Sequence, residues 1–385
     1  MKRVRFGIIG VGNIGGSHAT RFLDNEVPGG ELVALCDLNP KKLERFPGIR
    51  GWSNSSELIR SGEIDAVLIC TPHYSHIPIG IEALETGLHV LCEKPLGVHV
   101  ADCRRILAAH TNSQQIFGVM FDTRTEPKYQ KVREMVRNGE LGRIRRINWI
   151  LTSWFRSDAY YRSSDWRATW DGEGGGMLVN QLPHDLDLFQ WIFGLPKRVR
   201  AFCPLGKYHD IEVEDEVNAI LEFEDGATGM IVATTGEAPG TDRREIVGTK
   251  GRLVIHADHL ELTRTQIPVD EYCRTTDKSF GGPESETIRI DLEGKAGRHA
   301  EVLRRFVGAI HDETTLVAKA SEAEASAALA NAIIYSSWTD QTVELPLDPE
   351  KFESELNRYR ENSRFVPNPL AEQTGIVDMA ASFSH

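Results

Sequence analysis

The chain has 385 residues and a formal charge of −12, with 41% hydrophobic and 26% charged residues. At about 150 residues per domain, that length predicts two or three globular domains. So acidic a balance excludes a protein whose main task is to coat a nucleic-acid backbone or an anionic membrane surface. The longest uncharged stretch, Ala66 to Ile81, carries Pro72, His73, His76 and Pro78, so no membrane helix is expected. Lys2, Arg3 and Arg5 ahead of an apolar run mimic a secretion signal, but Gly7 and Gly10 break the run, which reads better as a first strand. Cys36, Cys70, Cys92, Cys103, Cys203 and Cys273 form no CxxC pair and no metal-ligand spacing. They read as free thiols of a cytoplasmic protein, with no metal.

Up to residue 121 the pattern alternates between strand and helix. Val4–Ile9, Leu32–Cys36, Ala66–Cys70, His89–Cys92 and Ile116–Phe121 are short apolar runs bounded by Gly, Pro or Asp, as buried parallel strands are. Ser17–Asn25, Pro40–Phe46, Ser56–Ser61, Ile77–Thr86 and Val100–His110 read as the crossover helices. This alternation predicts a doubly wound α/β domain over residues 1–121. Beyond it, Pro127–Asn138 reads as a helix and Ile144–Trp154 as an alternating strand. Val217–Phe223 and Ala227–Thr234 flank a hairpin turn, as do Glu245–Val247 and Arg252–His256. Helices are expected near Arg298–Asp312 and Ser321–Thr339, then a polar tail with Pro346, Pro349, Pro367 and Pro369. Residues 122–385 therefore read as an α+β domain with an open, mainly antiparallel sheet.

Gly10-Val11-Gly12-Asn13-Ile14-Gly15 follows the first strand and opens the first helix. The first Gly permits a tight turn, the second lets a pyrophosphate reach the backbone, and the third lets helix pack on strand. Asp37 ends the second strand, where a carboxylate bonds the ribose hydroxyls of an adenine dinucleotide. A carboxylate there repels a 2′-phosphate, and Leu38-Asn39-Pro40 offers no Arg to hold one, so NAD is expected rather than NADP.

Three further stretches stand out: Thr71-Pro72-His73-Tyr74-Ser75-His76, Glu93-Lys94-Pro95, and Gly174-Gly175-Gly176 running on to Asn180-Gln181-Leu182-Pro183-His184. With the Gly10–Gly15 loop they resemble the Gfo/Idh/MocA oxidoreductase family over most of the chain. The resemblance implies a Rossmann domain followed by an open-sheet domain that lines the substrate site and builds a homodimer or homotetramer. It implies Lys94 as the active-site lysine, in a Glu93–Pro95 turn with a cis peptide before the proline, and His184 as the catalytic histidine. Thr71, Pro72, His76, Glu93 and Lys94 would border the cofactor together with Gly10, Gly12, Asn13, Ile14, Gly15 and Asp37. Two departures matter. The family usually has Asp four residues before the histidine, where this chain has Asn180, and a small residue two before it, where this chain has Leu182. Asn180 can orient a hydroxyl but cannot balance an imidazolium. His73 also stands where Asn is common.

The sequence gives His184 a setting of its own. Pro183 suits a first helical position, Asp185 and Asp187 enrich the first turn, and Gly194 closes the helix. A helix amino terminus disfavours imidazolium, so a neutral His184 can accept a hydroxyl proton. In the stretch Trp154–Trp170, aromatics can stack on sugar rings while Arg156, Tyr160, Arg162, Trp166 and Arg167 bond hydroxyls or an anionic group. The resulting expectation is an NAD-dependent enzyme oxidising a secondary hydroxyl of a sugar, glycoside or cyclitol, with an anionic sugar among the candidates to test. Two alternatives stay open: a redox-neutral NAD-dependent glycosidase, and a non-enzymatic NAD sensor. Basic and acidic residues balance over 1–121, so the acidic surplus lies in the second domain, and the arginines of 154–170 stand against it.

Overall fold

A computed structural model describes residues 2–366. Its first part is a parallel sheet with helical crossovers: β1 Val4–Ile9, α1 Asn13–Leu23, β2 Gly30–Cys36, α2 Pro40–Leu43, β3 Arg50–Trp52, α3 Ser55–Arg60, β4 Ala66–Ile69, α4 His76–Glu85, β5 His89–Cys92, α5 Val100–Ala109 and β6 Phe117–Val119. The strand order is β3-β2-β1-β4-β5-β6, so the order reverses between β1 and β4. Ligands of such sheets sit at this switch point, beyond the carboxyl ends of the strands.

The chain continues through α6 Pro127–Arg137, β7 Ile144–Leu151, α7 Asp158–Tyr161, α8 Pro183–Phe193, β8 Arg198–Phe202, β9 Glu216–Glu222, β10 Thr228–Thr234, β11 Asp242–Gly248, β12 Gly251–Ile255, β13 His259–Thr265, α9 Val269–Thr275, β14 Ser285–Asp291, α10 Arg298–Ile310, α11 Ala323–Thr339, β15 Val343–Glu344 and α12 Pro349–Arg360. The second sheet has nine strands in the order β14-β13-β12-β11-β7-β10-β9-β8-β15. Its pairs are antiparallel except β7 with β10. Alternate residues Ile147, Trp149 and Leu151 turn inward, and Trp149 meets Phe189 of α8 edge-on at 5.3 Å. The sheet thus carries α8, and with it His184.

Several elements differ from the sequence reading. β3, β8, β13, β14 and α9 have no counterpart in it; β13 and β14 alternate charged with apolar residues and gain their pairing only from each other and β12. The expected polar tail contains helix α12, capped by Asp348, which buries Phe352 and Leu356. Pro367 and Pro369 lie outside the described residues. The chain also returns to the first sheet. Val302, Leu303, Phe306 and Val307 of α10 join the core of Phe6, Ile8 and Leu35, while Ala323 and Ala327 of α11 join that of Ile69, Val90 and Val119. A parallel sheet must be covered on both faces, and helices beyond residue 297 complete the cover.

Candidate active site

One cavity of about 810 Å³ runs from the Gly10–Ile14 loop past Lys94 and His184 to the Trp154–Gly172 segment. That volume suits a sizeable ligand in a concave, partly apolar cleft.

At one end the backbone does the shaping. Gly10 has φ +92°, and a Cβ there would meet the Cys70 carbonyl oxygen at 2.6 Å. A Cβ on Gly15 would lie 1.9 Å from the Gly10 oxygen, so Gly15 packs α1 against the turn and does not itself line the cavity. Gly12 lines the cavity, and a Cβ there meets no atom of the described residues within 4 Å. The buried Asn13 Nδ2 and Thr71 Oγ1 have no partner among the described residues, and both residues line this space, Asn13 at the start of α1 and Thr71 just beyond β4. Open backbone, a helix amino terminus and two orphaned polar groups fit the pyrophosphate of a dinucleotide. Asp37 is pinned by the Val11 N–H at 2.8 Å and the Asn39 N–H at 2.9 Å. Lys42, just beyond the Leu38–Pro40 turn, stands 3.3 Å from it, so this cation is already engaged by Asp37. Ile14 and Pro72 line the same end. His76 does not: its ring nitrogens lie 2.8 Å from the carbonyl oxygens of Pro95 and Thr71, tying two turns together.

The middle of the cavity holds the ionisable groups. Lys94 follows β5, the peptide to Pro95 is cis, and Nζ donates to the Asn180 carbonyl oxygen at 2.8 Å. Burial pushes its ammonium below the usual lysine range, against the pull of Glu93, Glu173 and Asp122. Glu93 accepts from His18 Nε2 at 2.8 Å. Burial alone would raise its carboxyl, but the His18 bond, His299 and Lys94 hold it down at about 2. His18, Cys70 and Glu93 bring donor atoms within 4.8 Å of one another, yet the His18–Glu93 bond already occupies that set.

His184 is the second residue of α8, behind Pro183 as expected. Burial pushes its imidazole down to about 4, although the Asp122 carboxylate pulls the other way. Asp185 and Asp187 do more than favour the helix dipole. Asp187 takes both Nε and Nη2 of Arg124 at 2.7 Å, and Asp185 takes Arg244 of β11 at 2.7 Å. All four side chains are buried, so α8 is clamped between the turn after β6 and the second sheet. Leu182 is fully buried in the core and stays out of the cavity.

The far end is a side-chain network. The Tyr160 hydroxyl receives Arg167 Nη1 at 2.8 Å, and Asn180 Nδ2 and Gln181 Nε2 at 3.3 Å. Ringed by donors, it is left to give its own proton to a ligand oxygen. Asn180 also donates to Glu173, whose other carboxylate oxygen takes the Ala168 N–H at 2.6 Å. Burial raises the Glu173 carboxyl to about 7 against the pull of Arg167. The His73 ring donates from Nδ1 to the Glu173 carbonyl oxygen at 2.9 Å. Arg156 and Arg167 line the cavity with their guanidiniums over Trp154, Tyr160 and Trp166. Arg162 does not line it; it is exposed, with Asp158 at 3.9 Å.

The family's NAD-binding Rossmann fold matches residues 4–121, and its carboxyl-terminal domain matches residues 129–254. The chain belongs to the Gfo/Idh/MocA oxidoreductase family. It is 29% identical over 323 residues to a myo-inositol 2-dehydrogenase of Thermotoga maritima, covering 79% of this chain and 87% of the relative. It is 27% identical over 265 residues to a scyllo-inositol 2-dehydrogenase (NAD(+)) of Bacillus subtilis, covering 66% and 74%. Its structure is similar to that of the WlbA dehydrogenase from Bordetella pertussis, solved with NADH and UDP-GlcNAcA, with a TM-score of 0.74, 25% identity and cover of 90% of this chain and 100% of that one. The protein is thus an NAD-dependent oxidoreductase of the Gfo/Idh/MocA type.

In this Gfo/Idh/MocA oxidoreductase several cavity residues were given no role from the sequence, among them Lys42, Gln181, His299 and Phe365. Two buried carboxylates were given none either, Asp122 and Glu173. Asp122 had a signal, since it lies just past a predicted strand, as do Asp37 and Lys94. Glu173, His299 and Phe365 had none, because distant segments bring them to the site.

Proposed function

We propose that this enzyme oxidises a secondary hydroxyl of a sugar, glycoside or cyclitol, and that a sugar bearing an anionic group suits it best. The observation that carries this reading is the shared cavity: the Gly10–Ile14 loop, Lys94 and His184 border one continuous space. When bound, NAD supplies the acceptor for a hydride. Gly12, Asn13 and Thr71 would hold its pyrophosphate and Asp37 its ribose hydroxyls. The chain's own residues handle the oxygen and the proton. Lys94, held by the Asn180 carbonyl, donates to the reacting oxygen and stabilises alkoxide character. His184, held neutral by burial, accepts the hydroxyl proton. Tyr160 and Asn180 orient neighbouring hydroxyls. Trp154 and Trp166 offer flat apolar faces, and Arg156 and Arg167 offer guanidiniums for a carboxylate or phosphate. Similarity to inositol dehydrogenases and to a dehydrogenase solved with UDP-GlcNAcA supports the carbohydrate class.

The test is reduction of NAD with a panel of polyols, cyclitols and glycosides, each neutral sugar matched to an acidic counterpart. Reduced nicotinamide should accumulate, with higher kcat/KM for the acidic member, and R156A and R167A should erase that preference. No reduction by any compound, with NAD shown bound by calorimetry, contradicts the reading. Aglycone release without reduced cofactor would replace it with redox-neutral cleavage.

A further inference from the structure

Asn180 stands where the family usually has the carboxylate that partners the histidine, and an imidazole that accepts a proton in a buried site needs its charge balanced. The structure places a carboxylate at His184 Nδ1 instead. Asp122 opens the 3₁₀ turn Asp122–Thr125 that follows β6, and its Oδ1 lies 3.5 Å from His184 Nδ1. Both atoms are sealed from solvent, and neither has a hydrogen-bond partner elsewhere in the described residues. Two orphaned polar atoms that face each other are natural partners, because each left alone would carry the full cost of burial.

The pairing is built into the scaffold. Arg124 belongs to the same turn as Asp122, and its bidentate bond to Asp187 fixes that turn to α8, one helical turn beyond His184. Thr125 of the turn accepts the Arg298 N–H at 2.9 Å, which joins the start of α10 to it. The groups facing the pair come from three elements. Lys94 and Glu93 stand after β5. Arg298 Nη1 and His299 Nδ1 of α10 lie 3.6 and 3.7 Å from Asp122 Oδ2, and His18 of α1 stacks edge-on to His299 at 5.3 Å. Burial would raise the Asp122 carboxyl, but the two histidines and Arg298 outweigh it and hold it below the usual range, so it stands ionised.

We propose that Asp122 is a positioning residue for the reaction. Its carboxylate keeps the His184 proton on Nδ1, leaves Nε2 as the open lone pair towards the cavity, and balances the imidazolium when Nε2 takes a proton. It supplies the carboxylate that the family usually has at position 180. In the step itself the substrate O–H bond breaks, an Nε2–H bond forms, and the proton stays on the imidazolium until product leaves. Asp122 accepts the Nδ1–H bond throughout and remains ionised. This inference rests on His184 being the base of the proposed dehydrogenase.

The experiment is a ¹⁵N and ¹³C NMR titration of His184 in the full chain, with and without NAD, for wild type, D122N, D122E and D122N/N180D. The wild type should carry its neutral-form proton on Nδ1. Loss of the Asp122 charge removes a pull towards imidazolium, so the D122N midpoint should move to lower pH, and D122E should stay near wild type. The acid limb of kcat/KM should move the same way, with kcat down by roughly 10- to 100-fold, a part of the 10²- to 10⁴-fold typical of acid–base catalysis. D122N/N180D should recover part of that loss. A wild-type proton on Nε2, read without any variant, overturns the proposal, and so does a D122N midpoint and kcat equal to wild type. A lowered melting temperature with an unmoved acid limb also overturns it, since it marks Asp122 as structural only. The tautomer and titration need no turnover, so failure of the dehydrogenase reading would appear separately, as absent reduction in a wild type whose His184 titrates as stated.

Discussion

The two ends of the cavity are made of different materials. The dinucleotide end is backbone: Gly10 at φ +92°, Gly12 with open space above it, and the amino terminus of α1. The substrate end is side chains bonded to side chains, from Tyr160 through Arg167, Asn180 and Gln181 to Glu173. A backbone cradle recognises the part of a ligand shared across many enzymes. A side-chain network can be re-cut for each substrate. Lys94 joins the two, with its backbone after β5 and its ammonium on the Asn180 carbonyl.

This contrast can be broken by substitution. The largest effect is expected where the ends meet: K94A and H184A should each lower kcat by about 10²- to 10⁴-fold, while calorimetric NAD affinity stays within a few-fold. Equal loss of NAD binding would place both residues at the cofactor end only. At the cradle, G12A should weaken NAD about 10-fold or more, yet leave the melting temperature of the free protein nearly unchanged, because its Cβ meets no atom of the described residues within 4 Å. Unaltered affinity would show that the pyrophosphate does not approach Gly12. In the network, Y160F should raise KM about 5- to 10-fold, the worth of one lost hydrogen bond of about 1 kcal/mol, with NAD affinity intact.

The smallest effect concerns stability. Glu173 is raised from its ordinary 4.5 to about 7, so it binds a proton more tightly in the folded state. Its contribution is fully present below pH 4.5 and is lost as pH rises through about 7. The difference in melting temperature between wild type and E173Q should therefore shrink across that window, and parallel profiles would show that Glu173 does not titrate there.

How much of this was legible in the sequence follows the same division. The cradle was readable because a glycine loop between a strand and a helix is a local signal, and Lys94 and His184 stood in short motifs. Helix α8 was readable from Pro183 and Gly194. The network was not, because its bonds join residues of distant segments. Nothing near Glu173 announces that it will bond Asn180, and nothing near Arg298 announces that α10 will return to the first sheet. Strands β13 and β14 escaped for a related reason, since their charged faces gain a period only through pairing. Arg162 misled because it shares the composition of Arg156 and Arg167, while its position beyond α7 turns it to solvent. Asp122 lies between these cases: its place past a strand end was visible, but its partner on α8 was not.

The most direct measurement of the central claim follows the hydride itself. Candidate sugars and cyclitols, deuterated at their ring carbons, are incubated with the enzyme and NAD, and the nicotinamide product is weighed by mass spectrometry. The cofactor should gain a single deuterium, carried as deuteride, in the wild type, and should gain it about 10²- to 10⁴-fold more slowly in K94A or H184A. Consumption of a sugar by the NAD-bound wild type with no deuterium in the cofactor would contradict this expectation.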